Sequence, residues 1–260
     1  FEIKSPEDIP PLFINHFTIL ENDYIVKIPV DIERRNAKPG MDLYRLIIIL
    51  RDDLILFLEN NKGYVEKKEL EYNNIISIKN NNNLLTANIE LYTFTGIVEF
   101  EYNVVSQKIV DKIRDAIRGK IIHSQTTKID FKEITLSADL SYFMNNLLKK
   151  ISKNEIFKII GFQDLKRLKR RKTNLVNIIK DSILKPYKNS ILFLTNCREV
   201  VIISVTKDYE YSHIFIPIEN ISSIIQVENF QYINTNNMRI QFGDNSHQLL
   251  VDSDNPLKYP

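Results

Sequence analysis

Along the chain, short runs of β-branched and aromatic residues end at Asn, Asp or Gly, and the runs gather in two regions. Such residues suit a pleated, half-buried surface, and the breakers between them are turn formers, so the pattern predicts strands. The first region gives strands at 24–32, 43–51, 53–59, 69–80, 84–94 and 96–103. The second gives 190–196, 199–205, 212–228, 232–242 and 246–251. After residue 103 the period changes. Val105, Ile109, Val110, Ile113, Ala116 and Ile117 recur at three and four residues, with Lys108, Lys112, Arg114 and Arg118 elsewhere and Gly119 as a stop, which predicts an amphipathic helix.

The stretch between the two regions reads as helical. Leu140, Phe143, Met144, Leu147, Leu148 and Ile151 form one apolar stripe, and Ser152 with Glu155 has capping-box spacing ahead of 156–160. After Gly161 a second helix is expected, with Leu165, Leu168, Leu175, Ile178 and Ile179 on one side.

The two strand regions resemble each other. Arg45-Leu-Ile-Ile-Ile-Leu-Arg-Asp-Asp-Leu-Ile-Leu-Phe-Leu58 aligns with Ser190-Ile-Leu-Phe-Leu-Thr-Asn-Cys-Arg-Glu-Val-Val-Ile-Ile203, and Asn74-Ile-Ile-Ser-Ile78 with Asn220-Ile-Ser-Ser-Ile224. Both alignments share nearly one offset, which marks a divergent internal repeat. Several short antiparallel strands followed by one amphipathic helix resemble the pleckstrin homology (PH) layout. The hairpin at 189–203 and the strand at 214–224 are similar to GRAM and bacterial PH-like domains, including a Leu-Thr-Asn-x-Arg step at Leu194 to Arg198. The chain departs from the family in having no tryptophan, which many PH domains carry in the closing helix.

The resemblance implies an α+β, mostly antiparallel β fold of two PH-like β-barrel or sandwich modules. The first, 1–122, is closed by a C-terminal helix; a helical connector spans 123–184; the second, 185–260, ends before its own closing helix. The chain starts at Phe1 and ends at Pro260 and is expected to be part of a longer protein.

Composition adjusts this picture in a few places. At 260 residues and 43% hydrophobic content, two ordinary cores can be buried. Lys plus Arg (35) nearly balances Asp plus Glu (33), so any charge-driven partner must be met locally. One cysteine, Cys197, excludes an internal disulfide and favours an intracellular, cytoplasmic setting, peripheral to a membrane under the lipid reading below. No run approaches the roughly 18 apolar residues of a membrane span. The 27 asparagines, with a run from Asn80 to Asn83, read as codon bias and a loop.

Motifs of catalysis are missing. The six glycines lie too far apart for a phosphate loop, and four scattered histidines with one cysteine build no zinc motif, so no catalytic residue, metal or cofactor is expected. Asp52 and Asp53 read as turn chemistry, and Cys197 beside Arg198 as an ordinary free thiol or a reactive one. Two basic clusters remain. Lys27, Arg34, Arg35, Lys38 and Arg45 occupy the early hairpin, where the resemblance implies a phosphoinositide headgroup pocket. Lys166, Arg167, Lys169, Arg170, Arg171 and Lys172 would line one face of the second helix and suit phosphates, or simply face solvent. The leading expectation is non-catalytic scaffolding of partner proteins. Anionic lipid is the alternative, and nucleic acid or histone the third.

Overall fold

The computed structural model describes residues 1–30, 38, 40–122, 140–152, 155–171 and 186–253. It is an α+β structure of mostly antiparallel sheets with two helices, and no sheet closes into a barrel among the described residues. Arg34, Arg35, Lys172, Leu175, Ile178 and Ile179 lie outside the described residues.

The first half opens with a five-stranded sheet in chain order: β1 (Glu2–Ile3), β2 (Tyr24–Pro29), β3 (Tyr44–Leu50), β4 (Leu54–Asn61) and β5 (Tyr64–Glu71). The unbroken apolar run of β3 exists because both faces of this sheet are covered. Leu46, Ile48 and Leu50 face a core shared with β6 (Ile75–Asn82), β7 (Thr86–Thr93), β8 (Gly96–Asn103) and helix α1 (Gln107–Ile121). Ile47 and Ile49 face the other way, onto Phe13 of the N-terminal segment. Helix α1 contributes Val110, Ile113, Ile117 and Ile121, as its period predicts, and runs past Gly119.

The second half repeats the order of elements. A sheet of β9 (Lys158–Gln163), β12 (Ser190–Thr195), β13 (Glu199–Val205) and β14 (Tyr211–Pro217) is followed by β15 (Ile221–Glu228), β16 (Thr235–Phe242) and β17 (Asn245–Asp252). A 3-10 turn precedes β6 at Tyr72–Asn74 and β15 at Ile218–Asn220. The register then slips at Ile75/Ser77 in one half and at Ile221/Ser223 in the other. One face of β12 and β13 supplies Ile191, Phe193, Val200 and Ile202 to a core with Met238, Ile240 and Phe242. The other face packs Leu192, Leu194, Val201 and Ile203 against Met144, Leu147 and Ile151 of α2 (Tyr142–Ile151).

The halves join edge to edge. Strand β6 pairs antiparallel with β14, from Asn82↔Tyr211 to Ile78↔Phe215, giving one seven-stranded sheet in the order β8-β7-β6-β14-β13-β12-β9.

Four expectations need correction. The strands drawn at 69–80 and 212–228 are each broken by the 3-10 turns, where the chain crosses from one sheet to the next. Asn80 to Asn82 are not loop but the end of β6, held there by β14. The capping box at Ser152 and Glu155 starts no helix, because Lys158–Gln163 is drawn into β9 by pairing with β12. Beyond Gly161 there is no second helix among the described residues. Lys166–Arg167 form β10 against β11 (Tyr187–Lys188), so the connector at 123–184 is only partly helical where it is described.

Candidate functional site

Of the basic residues of the early hairpin, Lys27, Lys38 and Arg45 are described, and Lys27 and Arg45 each donate to a backbone carbonyl. On β2, Lys27 donates its Nζ proton to the Asp8 carbonyl at 2.6 Å and lies 4.7 Å from the centre of the Tyr44 ring. On β3, Arg45 donates from Nη2 to the Glu101 carbonyl of β8 at 2.6 Å, while its Nε is buried with no hydrogen-bond partner. A cleft of about 290 Å³ opens beside Arg45, between Phe1, Val30, Tyr102 and Ile109. Lys38 is exposed.

Among its described residues, Lys166 to Arg171, the basic run forms no helix. Lys166 reaches Asp252 at 3.4 Å, and buried Lys188 pairs with the same carboxylate. Arg170 lies 5.6 Å from the Tyr232 ring, Arg171 pairs with Glu228, and Arg167 and Lys169 are exposed. Much of this charge therefore ties the chain to the β15–β16 hairpin. Cys197 is half-buried in the β12–β13 turn at φ 66°.

The densest polar chemistry lies where the halves meet, and α1 supplies it. Arg114 and Arg118, four residues apart and hence on one helix face, are both buried. Arg118 pairs with buried Glu199 at the start of β13 and with Glu155 at 3.1 Å, its guanidinium 4.2 Å from the Phe215 ring centre. Asn196 Nδ2 donates to Glu155 at 2.8 Å and to Glu199 at 3.3 Å. Burial pushes the Glu199 carboxyl above its ordinary range, against the pull of Arg118. Arg114 binds Asp111 at 2.6 Å and Asp115 at 2.7 Å.

Arg114 Nη1 also stands 3.2 Å from His213 Nε2 on β14. A guanidinium can only donate, so Nε2 is the acceptor and the imidazole proton sits on Nδ1, which is buried without a partner. Burial, then the charges of Arg114, Lys150 and Arg118, hold His213 well below the ordinary imidazole range.

A polar chain continues through the joint. Asp111 accepts from Gln107 Nε2 at 2.8 Å, Gln107 Oε1 from the Tyr102 hydroxyl at 3.0 Å, and the Tyr102 oxygen from Asn80 Nδ2 at 3.1 Å. Asn82 Nδ2 donates to Asn80 Oδ1 at 2.6 Å, leaving Asn82 Oδ1 buried and unpartnered. At that end a cleft of about 340 Å³ opens, built by both halves: Asn82, Asn88 and Glu101 from one, Asn189, Ser204 and Glu210 from the other. Its lining holds amides, hydroxyls and two carboxylates but no Lys or Arg, which disfavours phosphate and suits neutral or cationic polar groups.

Sequence reasoning missed this region. The four-residue spacing of Arg114 and Arg118 is visible, but nothing local points to Glu199, 81 residues from Arg118. No group of three or more His, Cys, Asp or Glu side chains able to hold a metal occurs among the described residues, and no described helix is long and apolar enough to cross a membrane. No protein-family model matches the chain, and no curated protein matches it.

Proposed function

We propose that the chain is a tandem PH-like scaffold that binds a partner protein, without a catalytic step of its own. The order of five strands, three strands and a closing helix in the first half, and of four and three strands around the short β10–β11 pair in the second, supports the PH-like reading. The observation that carries the binding role is the cleft at the joint. Its amide and hydroxyl groups can pair with peptide groups, and its two carboxylates favour a neutral or basic peptide over a phosphorylated headgroup. The fused sheet presents the two walls in one fixed arrangement, which lowers the ordering cost of binding.

Affinity capture with the immobilised chain, beside an Asn88→Trp/Glu210→Lys variant, tests this reading. Partners held by the wild type are lost from the variant, and anionic liposomes do not sediment with either. A partner retained by the variant overturns the cleft as the binding site. A second reading, anionic lipid, rests on the partnerless Arg45 Nε beside its cleft. Binding to phosphoinositide liposomes at physiological salt, abolished by Arg45→Glu, puts that reading first.

A further inference from the structure

The seven-stranded sheet carries a polar row across its joint. In register across the strands, Glu101 of β8 lies opposite Asn88 of β7, Asn88 opposite Asn81 of β6, Asn81 opposite Ser212 of β14, and Ser212 opposite Ser204 of β13. Directly paired residues share a face of a sheet, so these side chains stand in one line over both halves. All of them line the cleft at the joint, with Glu210 two residues before Ser212. The next row inward closes on itself: Lys79 pairs with Glu90 at 3.3 Å, and Ile214 and Ile202 beside them belong to the core.

The hydrogen-bonding capacity left in the row is one-sided. Asn81 Nδ2 donates to Asn88 Oδ1 at 2.9 Å and to Glu90 Oε1. A carboxylate only accepts, so Glu90 fixes which end of the Asn81 amide it faces, and the amide oxygen is the end left over. Asn88 Nδ2 turns to the same Glu90 oxygen at 3.5 Å, and Asn189 Nδ2 donates to Ser204 Oγ at 3.0 Å. Asn82, only 5% exposed, gives its Nδ2 to Asn80 and keeps Oδ1 buried without a partner. Amide nitrogens are thus engaged by the protein while oxygens remain. The carboxylates of Glu101 and Glu210 are exposed, and neither forms an ion pair among the described residues. Acceptors and negative charge in one cleft are answered by a group that is cationic and only donates, which describes a guanidinium.

Spacing narrows the ligand further. Strands β8 and β14 are three places apart in the sheet, about 14 Å, so Glu101 and Glu210 are too widely set for one cation. An extended peptide rises about 13 Å over four residues and keeps those two side chains on one face. We propose that the cleft reads an extended peptide with two arginines four residues apart, one on Glu101 and the other on Glu210. The inference rests on the cleft being the peptide site and adds the sequence it selects. The peptide runs along the row, across the strands, and the residue midway between its arginines meets the Asn81 oxygen, which suits a hydroxyl or amide side chain. Arginine is preferred to lysine because its planar fork bonds a carboxylate bidentately.

Fluorescence anisotropy with a labelled serine-threonine peptide carrying arginines four apart tests this. The wild-type chain should bind it at least tenfold more tightly than the same peptide with both arginines replaced by citrulline, which keeps the shape and removes the charge, and added salt should erode the difference. Arginines two apart should give an affinity between the two. Glu101→Gln/Glu210→Gln, a change at two exposed positions, should bind the arginine and citrulline peptides alike. Equal binding of both peptides by the wild type, lost together from Asn88→Trp/Glu210→Lys, overturns the arginine reading and keeps the cleft as a site for neutral peptide. An arginine peptide held as tightly by both variants as by the wild type puts its site elsewhere and overturns this proposal and the cleft reading alike. No binding of the arginine peptide at about 1 mM also overturns the proposal, and affinity capture then decides the cleft reading by itself.

Discussion

The two halves share an order of elements but use their helices differently. In the first, α1 fills the core between its two sheets with Val110, Ile113, Ile117 and Ile121. In the second, α2 packs on the outer face of the four-stranded sheet, against Leu192, Leu194, Val201 and Ile203. Helix α1 also serves the second half, because its other flank drives Arg114 and Arg118 onto Phe215, His213 and Glu199. A helix that closes one core is thus part of the wall of the next, and the repeat gains a joint by adding charged residues to an existing element.

The largest expected effect comes from breaking that joint at its charge pair. Glu199→Ala leaves Arg118 buried with only the partly exposed Glu155 and Asp115 to answer it, and should cost about 3 to 5 kcal/mol in chemical denaturation. Arg118→Met combined with Glu199→Leu should recover most of that loss, because an apolar pair of similar size avoids desolvating two charges.

Acid is expected to act next. His213 and His247 are both held neutral by burial first, His213 well below the ordinary range and His247 down to about 4. The unfolded chain therefore takes up protons first as pH falls, and stability present above about pH 6.5 is lost between there and about pH 4. For His247 alone the loss is on the order of 2 to 3 kcal/mol. Glu199 works with the opposite sign, since its raised pKa lets the folded chain take the proton first. Urea titrations at pH 7.5 and pH 5 should show the net loss, and His247→Gln should reduce it.

The smallest effect concerns one hydrogen bond between the halves. Asn220 Nδ2 donates to the Ile76 carbonyl at 3.0 Å, and Asn220→Ala should cost about 1 kcal/mol in the same titrations.

Strands with one or both faces buried were legible in the sequence, because β3, β4, β12 and β13 carry dense apolar runs and α1 keeps a clear helical period. Strand β5 was not drawn as its own element, since its exposed Glu66 to Glu69 show no alternation. Strand β9 was taken for helix because Ile156 to Ile160 is short and ambiguous, and only pairing with β12 decides it. The joint left almost no trace. Edge pairing is made by backbone groups, so Asn80 to Asn82 looked like loop residues, and the cleft that Asn81 and Asn82 help to line went unseen. The basic clusters were visible as charge, but whether a lysine faces solvent or a carbonyl, as Lys27 does, depends on segments far away in sequence.

Hydrogen exchange at the strand edges tests the central claim, that β6 and β14 fuse the repeat into one sheet, most directly. Amides of Lys79 to Asn82 and Tyr211 to Phe215 should exchange as slowly as those of β13, while amides on the edge of β5 that no described strand pairs exchange far faster. Joint amides that exchange as fast as those of β5 would contradict a fused sheet and leave the two halves as separate units.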